Sequence, residues 1–354
     1  MEEEKRLYDK IFIVPQNDLE SATIIKILKE HGFVEGENLF ITKQGWGASW
    51  ENLEDEIKEQ VKISTRKLNN GYGPGKHYCI KENTTNGYAG GQRDKIVTED
   101  ELKRIQNSQE WVSDKNQPHD RHWYSGPAVK IPERFAEEPD FSIIYGVELQ
   151  GKTLCNNIDH HVYEGDDRSN PLSSIEQVAQ LIGHKLTIDE QFIAANDKGY
   201  IPAMLELGKL MWMSENEIES KIKEIRAADR EVQGAAPFYE QTKEDIKNIV
   251  IENGLAILPL SHDRCSCATD LLYGKYDNLL IITRSGGCNF YGSNKFCKRL
   301  QEKFGGYSGT GYDNSGYWGN NKINVDLVKM FITGLIDIDK DHTNPVNKDN
   351  SVTR

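Results

Sequence analysis

Two periods of apolar residues alternate along the chain. Asp9–Pro15 and Leu39–Thr42 are short apolar runs of strand length. Between them, Leu19–His31 places Ala22, Ile24, Ile25, Ile27 and Leu28 at helical spacing and stops at Gly32. Glu51–Leu68 is charged, with Leu53, Ile57, Val61 and Ile63 on a helical stripe. The chain therefore opens β-α-β-α. Phe141–Leu149 is a near-continuous apolar run, the pattern of a strand buried on both faces in a parallel sheet. Thr153–Ile158 reads as the next strand. Helical patterns follow at 173–183, 187–197 and 200–210, and Ser214 opens a long charged helix with Glu217 three residues on, a capping box. Strand patterns return at Leu255–Leu260 and Asn278–Thr283. A helix at 294–304 leads into Gly305-Gly-Tyr-Ser-Gly-Thr-Gly311 and Gly316-Tyr-Trp-Gly319, and Val325–Ile336 is a last amphipathic helix.

Residues 69–140 break this rhythm. They are rich in Asn, Gly, Trp, Tyr and His with little periodicity, and too long for an ordinary loop, so they read as an insertion or lid. The expected organisation is an α/β chain in two parts. An N-terminal parallel-sheet domain with helices on both faces spans 1–235 and carries the insertion. A linker helix at 236–250 leads to a smaller α/β domain at 251–340 and a polar tail at 341–354. The length of 354 residues suits two domains.

Composition narrows the partners. Lys and Arg total 43 against 56 Asp and Glu, a formal charge of −13, which excludes a uniformly basic nucleic-acid wrapper. No run approaches the length of a membrane span, and the N-terminus has no apolar core of a secretory signal, so a cytoplasmic protein with no membrane partner is expected. The six cysteines show no paired CxxC spacing; Cys265-Ser-Cys267 alone is a weak metal or redox signal, and free buried thiols are the plainer reading. His119-Asp120 and His262-Asp263 are HD dipeptides without the further spaced His and Asp that an HD-type phosphohydrolase needs.

The chemistry concentrates at Asn157-Ile158-Asp159-His160-His161, directly after an apolar strand. Ligands of open α/β sheets bind beyond the carboxyl ends of strands. Imidazole, with a pKa of about 6.5, is largely neutral near pH 7 and can ligate a divalent metal. The neighbouring carboxylate can ligate too, or orient a ring. On its own this triplet reads equally well as a structural feature.

The context resembles the DHH phosphoesterase superfamily, which includes RecJ-type exonucleases, nanoRNA and cyclic-dinucleotide phosphodiesterases, and family II pyrophosphatases. Ile158–His161, followed by Pro171-Leu-Ser-Ser174, matches that family's strand ending in DHH before a helix opened by small residues. Ala194-Ala-Asn-Asp197 resembles the later Asp motif, 38 residues after Asp159. Glu148 stands for the metal-bridging carboxylate that ends the preceding strand. The first motif is eroded: Pro15, Asp18 and Ser21 remain, while Phe12 replaces its His and Gln16 its first Asp.

The resemblance implies Asp18, Glu148, Asp159, His160 and Asp197 as ligands of Mn²⁺ or Mg²⁺, with the second metal position depleted or served by a substitute such as Glu20. It implies His161 and Asp159 as catalytic groups, His161 on the scissile phosphate. The C-terminal part resembles the companion DHHA1 domain, whose Gly-rich loop binds substrate; here the loop lacks its His. Arg264, Arg284, Gly306, Gly309 and Gly311 are then the substrate-binding residues. From Arg264 to Lys303 seven basic residues face three acidic ones, +4 within a −13 chain. Turn formation explains the glycines, and a solvated helix face explains Lys298 and Lys303, as well.

The implied function is metal-dependent hydrolysis of a phosphodiester or phosphoanhydride. The partner would be a small phosphorylated substrate or short single-stranded oligonucleotide, and a second copy of the chain, as a homodimer, is also open. The eroded first motif leaves another reading: a catalytically weakened nucleotide-binding or regulatory protein on the same fold. A third makes the chain a scaffold built around 69–140.

Overall fold

The computed structural model describes residues 10–45, 47–69, 77–86, 89–107, 122–130, 141–150, 155–163, 166–311 and 314–343. Contacts group the chain into two units, 1–16 with 23–184, and 17–22 with 185–354.

The first unit is built on four parallel strands in the order β2-β1-β6-β7: β1 Ile11–Pro15, β2 Leu39–Thr42, β6 Ile144–Val147 and β7 Asn156–Ile158, followed by a short antiparallel pair, β8 Val162–Tyr163 and β9 Asp166–Asp167. Two crossover helices follow β1 and β2, α1 Leu19–Glu30 and α2 Asp55–Asn69. Side chains of β1 alternate between faces. Ile11 and Ile13 join Phe40, Ile144, and Leu53 and Val61 of the α2 region in one core. Phe12 points the other way, edge-on to Phe33 and stacked on Tyr145. Helix α4, Ser174–Ile182, begins where Glu176 Oε2 accepts the Ser173 N–H at 2.8 Å and stops where Gly183 adopts φ 71°, a left-handed C-cap.

The segment expected as an aperiodic insertion holds regular structure. β3 His77–Asn86, β4 Ala89–Thr98 and β5 His122–Lys130 form an antiparallel sheet in the order β4-β3-β5, and a short helix, α3 Glu99–Gln106, is capped by Thr98 and Glu101. Asn and Gly obscure its two-residue period. The remaining residues of 69–140 lie outside the described ones.

The second unit opens with α5, Ile188–Leu210, broken at Gly199–Tyr200, where Tyr200 has φ 58°. It packs on α6, Glu215–Val232, through Phe192, Met204, Ile218, Ile222 and Ile225. After a short helix, α7 Tyr239–Asp245, a six-stranded mixed sheet runs β10-β11-β12-β13-β15-β14. Its strands are β10 Val250–Glu252, β11 Leu255–Pro259, β12 Leu279–Ile282, β13 Cys288–Ser293, β14 Tyr307–Thr310 and β15 Ser315–Asn320. One face packs under α9, Asn294–Phe304, and α10, Val325–Thr343, around Phe290, Leu300, Trp318 and Ile332. The other is covered over β11 and β12 by α8, Ser266–Leu272.

The boundary between units falls at 184/185, upstream of the linker expected at 236–250. Within the second unit Arg226 Nε donates to Asp270 Oδ1 at 2.8 Å, Arg230 bonds Asp270 Oδ2, and all three side chains are largely buried. This binds α6 to α8. Helix α10 continues to Thr343, past the expected start of the tail; residues 344–354 lie outside the described ones. Among the described residues no helix is long and apolar enough to cross a membrane.

Candidate functional site

In the first unit, β6 and β7 are adjacent and parallel, with Val147 opposite Ile158. The residues that follow each strand therefore emerge side by side. Glu148 donates its N–H to Ile158 O at 2.9 Å and is held at φ 51°. A non-glycine residue in this left-handed region is strained, and such strain concentrates at functional positions. Its carboxylate is buried and accepts a hydrogen bond of 3.0 Å from Ser174 Oγ, in the first turn of α4. The small residue lets the helix start close to the strand ends.

His160 Nε2 lies 3.9 Å from Glu148 Oε1, and the His160 and His161 rings are 4.2 Å apart between centroids. Glu148, His160 and His161 each offer a ligand atom within 4.8 Å of the others. An ion with bonds of about 2.1 Å could draw such a set together with small side-chain movements. One carboxylate with two imidazoles suits a first-row transition ion such as Mn²⁺ better than Mg²⁺, which prefers oxygen.

Asp159 stands behind this trio. Its Oδ1 accepts from the N–H groups of His160 (2.8 Å) and His161 (3.0 Å) and lies 2.9 Å from His161 Nδ1. A carboxylate can only accept, so Nδ1 carries the proton and Nε2 keeps its lone pair for a ligand. Oδ2 lies 3.4 Å from Nη1 of buried Arg168, which also bonds Leu149 O. Gln177 of α4 donates to Asp159 O at 2.9 Å. With Oδ1 shared by three donors and Oδ2 facing a guanidinium, Asp159 orients the histidines instead of joining the donor trio. Arg168 was missed in the sequence. Its only signal is a lone cation at the end of the acidic sequence Glu164-Gly-Asp-Asp-Arg168.

Asp18 and Asp197 come together in the second unit. Asp18 caps α1: its Oδ1 accepts the Ser21 N–H at 2.8 Å. Oδ2 is buried with no hydrogen-bond partner among the described residues. Burial first, then the charge of Asp197, pushes its carboxyl up to about 6; Asp229 adds a smaller push the same way. Glu20 is buried in the first turn of the same helix.

The remaining expected residues lie on the C-terminal sheet. Arg264 and Arg284 are exposed, on the loops that leave the parallel strands β11 and β12. These loops are cross-linked: Arg284 N–H reaches His262 O at 3.2 Å and Ser285 N–H reaches Asp263 Oδ1 at 2.9 Å. The glycines do not form one loop. Gly306, at φ 90°, sits in a turn so close to its neighbour that a Cβ would lie 2.3 Å from Gly319 O. Gly309 is inside β14, opposite Tyr317, and the N–H of Gly311 is used by Ser315 O at 2.8 Å. The run reads as a loop because glycine signals turns; here it builds a strand whose glycines accommodate rings from the next strand. Cys265 is pushed up to about 12 by burial and Cys267 is raised too, so neither is poised as a thiolate ligand.

Compared with known proteins, the chain matches no family model and no curated protein sequence.

Proposed function

We propose that the protein is a divalent-metal-dependent phosphoesterase acting on a phosphodiester or phosphoanhydride of a small nucleotide or short oligonucleotide. The observation that carries this reading is the trio Glu148, His160 and His161 beyond the carboxyl ends of two parallel strands. Glu148, His160 Nε2 and His161 Nε2 would hold the ion, Mn²⁺ in preference to Mg²⁺. A bound ion supplies a water of lowered pKa and a Lewis acid for the phosphoryl oxygen. Asp159 fixes the His161 tautomer, and Arg168 faces its second oxygen and holds it in place. In the second unit, Arg264 and Arg284 offer exposed guanidiniums for phosphate oxygens. A cytoplasmic location belongs to the same proposal.

The test is Mn²⁺-dependent hydrolysis of bis(p-nitrophenyl) phosphate and of short RNA by the full chain. Turnover should fall by about 100-fold or more in His160→Ala and Glu148→Gln, with circular dichroism unchanged. Undiminished turnover in an Asp159→Ala, His160→Ala double variant, or none in wild type, would sink the reading.

A second reading, a nucleotide-binding protein without turnover, has one observation in its favour. Phe12 occupies the place of a metal-binding His and is fully buried between Phe33 and Tyr145. Calorimetric titration with Mn²⁺ separates the two: at least one tight site, lost in His160→Ala, speaks for hydrolysis, and none for the binder.

A further inference from the structure

The face of the C-terminal sheet that α8 covers over β11 and β12 remains open over β15 and β14. Its cross-strand pairs are unusual there. Tyr307 stands opposite Gly319, and Gly309 stands opposite Tyr317. With no side chain to lean against, each ring folds down over the glycine of the neighbouring strand. A Cβ on Gly319 would lie 2.3 Å from the Tyr307 ring, and one on Gly309 would lie 2.4 Å from the Tyr317 ring. Tyr307 is pinned further by its hydroxyl, which donates to Asn289 Oδ1 at 2.7 Å. Rings that cover their own strands should be sheltered. Yet Tyr307 and Tyr317 remain 47% and 45% exposed, so each presents much of its surface to solvent.

The register places positive charge at the same end of this sheet. Ile281, Asn289, Gly319 and Tyr307 form one row across β12, β13, β15 and β14. Arg284 lies three residues past Ile281, in the turn just beyond the end of β12, and the loop carrying Arg264 is tied to it. Among the described residues neither guanidinium has an ion-pair partner. Their acidic neighbour, Asp263, has one oxygen occupied by the Ser285 N–H. The Tyr307 ring, lying over β15, is two strand spacings, ~10 Å, from β12. An arginine side chain and a nucleoside monophosphate together cover that span.

We propose that Tyr307 and Tyr317 form a base-stacking surface and that the ligand of this sheet is a nucleoside phosphate, its phosphate met by Arg284 and Arg264. Flat aromatic rings on an open sheet face stack bases with little regard to sequence, and guanidiniums nearby select the anion. A bare phosphate, pyrophosphate or sugar phosphate has no use for the rings. This rests on and deepens the reading that the chain acts on a phosphorylated nucleotide.

The experiment is calorimetric titration of the full chain, with chelator present so that nothing is hydrolysed, using AMP, ribose 5-phosphate and inorganic phosphate. AMP should bind about tenfold or more tightly than ribose 5-phosphate. Tyr307→Leu and Tyr317→Leu should bring AMP down to the level of ribose 5-phosphate, Tyr317→Trp should preserve the preference, and Arg284→Ala should weaken all three ligands. Equal binding of AMP and ribose 5-phosphate, no AMP binding, or leucine variants that keep the preference would overturn it. If AMP binds as expected while the Mn²⁺ assay shows no turnover, the hydrolytic reading falls and this one stands. Turnover without base preference has the opposite meaning.

Discussion

Asp18 carries a cost that its neighbours make plain. It caps a helix with one oxygen, while the other is buried unpartnered among the charges of Asp197 and Asp229. Its folded pKa, about 6, lies above the usual 3.8, so the folded state prefers the protonated form. Stability from that proton is fully present below about pH 4 and is lost as pH rises through 6. Asp18→Asn keeps an acceptor for the Ser21 N–H and removes the charge. Metal-free Asp18→Asn should therefore match wild type near pH 4 and exceed it at pH 7, by at most about 3 kcal/mol at 1.36 kcal/mol per unit. Urea unfolding across pH 4–8 reads the difference. A variant no more stable than wild type at pH 7 would refute it. The sequence marked Asp18, Glu148, His160, His161 and Asp197 because their residue types and places after strands carry their meaning. Residue type alone let Asp159 ligate or brace, and the resemblance made it a ligand and a catalytic group; Oδ1 shared by three donors turns it to bracing instead.

At the scale of elements, most strands and helices follow from apolar periodicity, because each buries one stripe or one face. β2 coincides with the expected Leu39–Thr42, and the break at Gly199–Tyr200 falls between the two helices read at 187–197 and 200–210. Legibility fails where the period is carried by glycine and tyrosine. β14 needs glycines beneath rings, and residues that break elements elsewhere build one here. The tie between α6 and α8 was equally illegible, since charged residues on a helix read as a solvated face. Arg226, Arg230 and Asp270 are buried instead, and Tyr200 donates its hydroxyl to the same carboxylate. Removing that carboxylate takes from buried Arg230 its ion pair among the described residues and leaves Arg226 with Asp229 alone. Asp270→Ala should cost about 3–5 kcal/mol, whereas exposed Lys243→Ala, which loses a surface pair with Glu240, should cost under about 1 kcal/mol. Chemical denaturation of the two variants compares them directly; similar losses would show that the network contributes no more than a surface pair.

For the molecule as a whole, net charge of −13 and a metal-competent cluster predict stabilisation by cations of the right chemistry. Mn²⁺ at 100 times its Kd should stabilise the wild type by about 2.7 kcal/mol, with Mg²⁺ giving less at the same concentration. His160→Ala should lose most of the Mn²⁺ effect while its metal-free melting temperature stays close to wild type. Thermal melts with and without chelator provide the comparison, and an equal Mn²⁺ shift in both proteins would count against the trio.

The stretch 17–22 belongs with the C-terminal half, where Leu19 N–H bonds Asp229 Oδ1 at 3.2 Å across 210 residues of chain. During synthesis these six residues emerge some 210 residues ahead of Asp229 and wait for it. At ~5–20 residues per second that wait is ~10–40 s. Through that interval Leu19 stays without its apolar neighbours and Asp18 remains solvated. The second unit cannot close until the ribosome has delivered α6, and a stall before residue 229 would leave residues 17–22 without the segment they pack on.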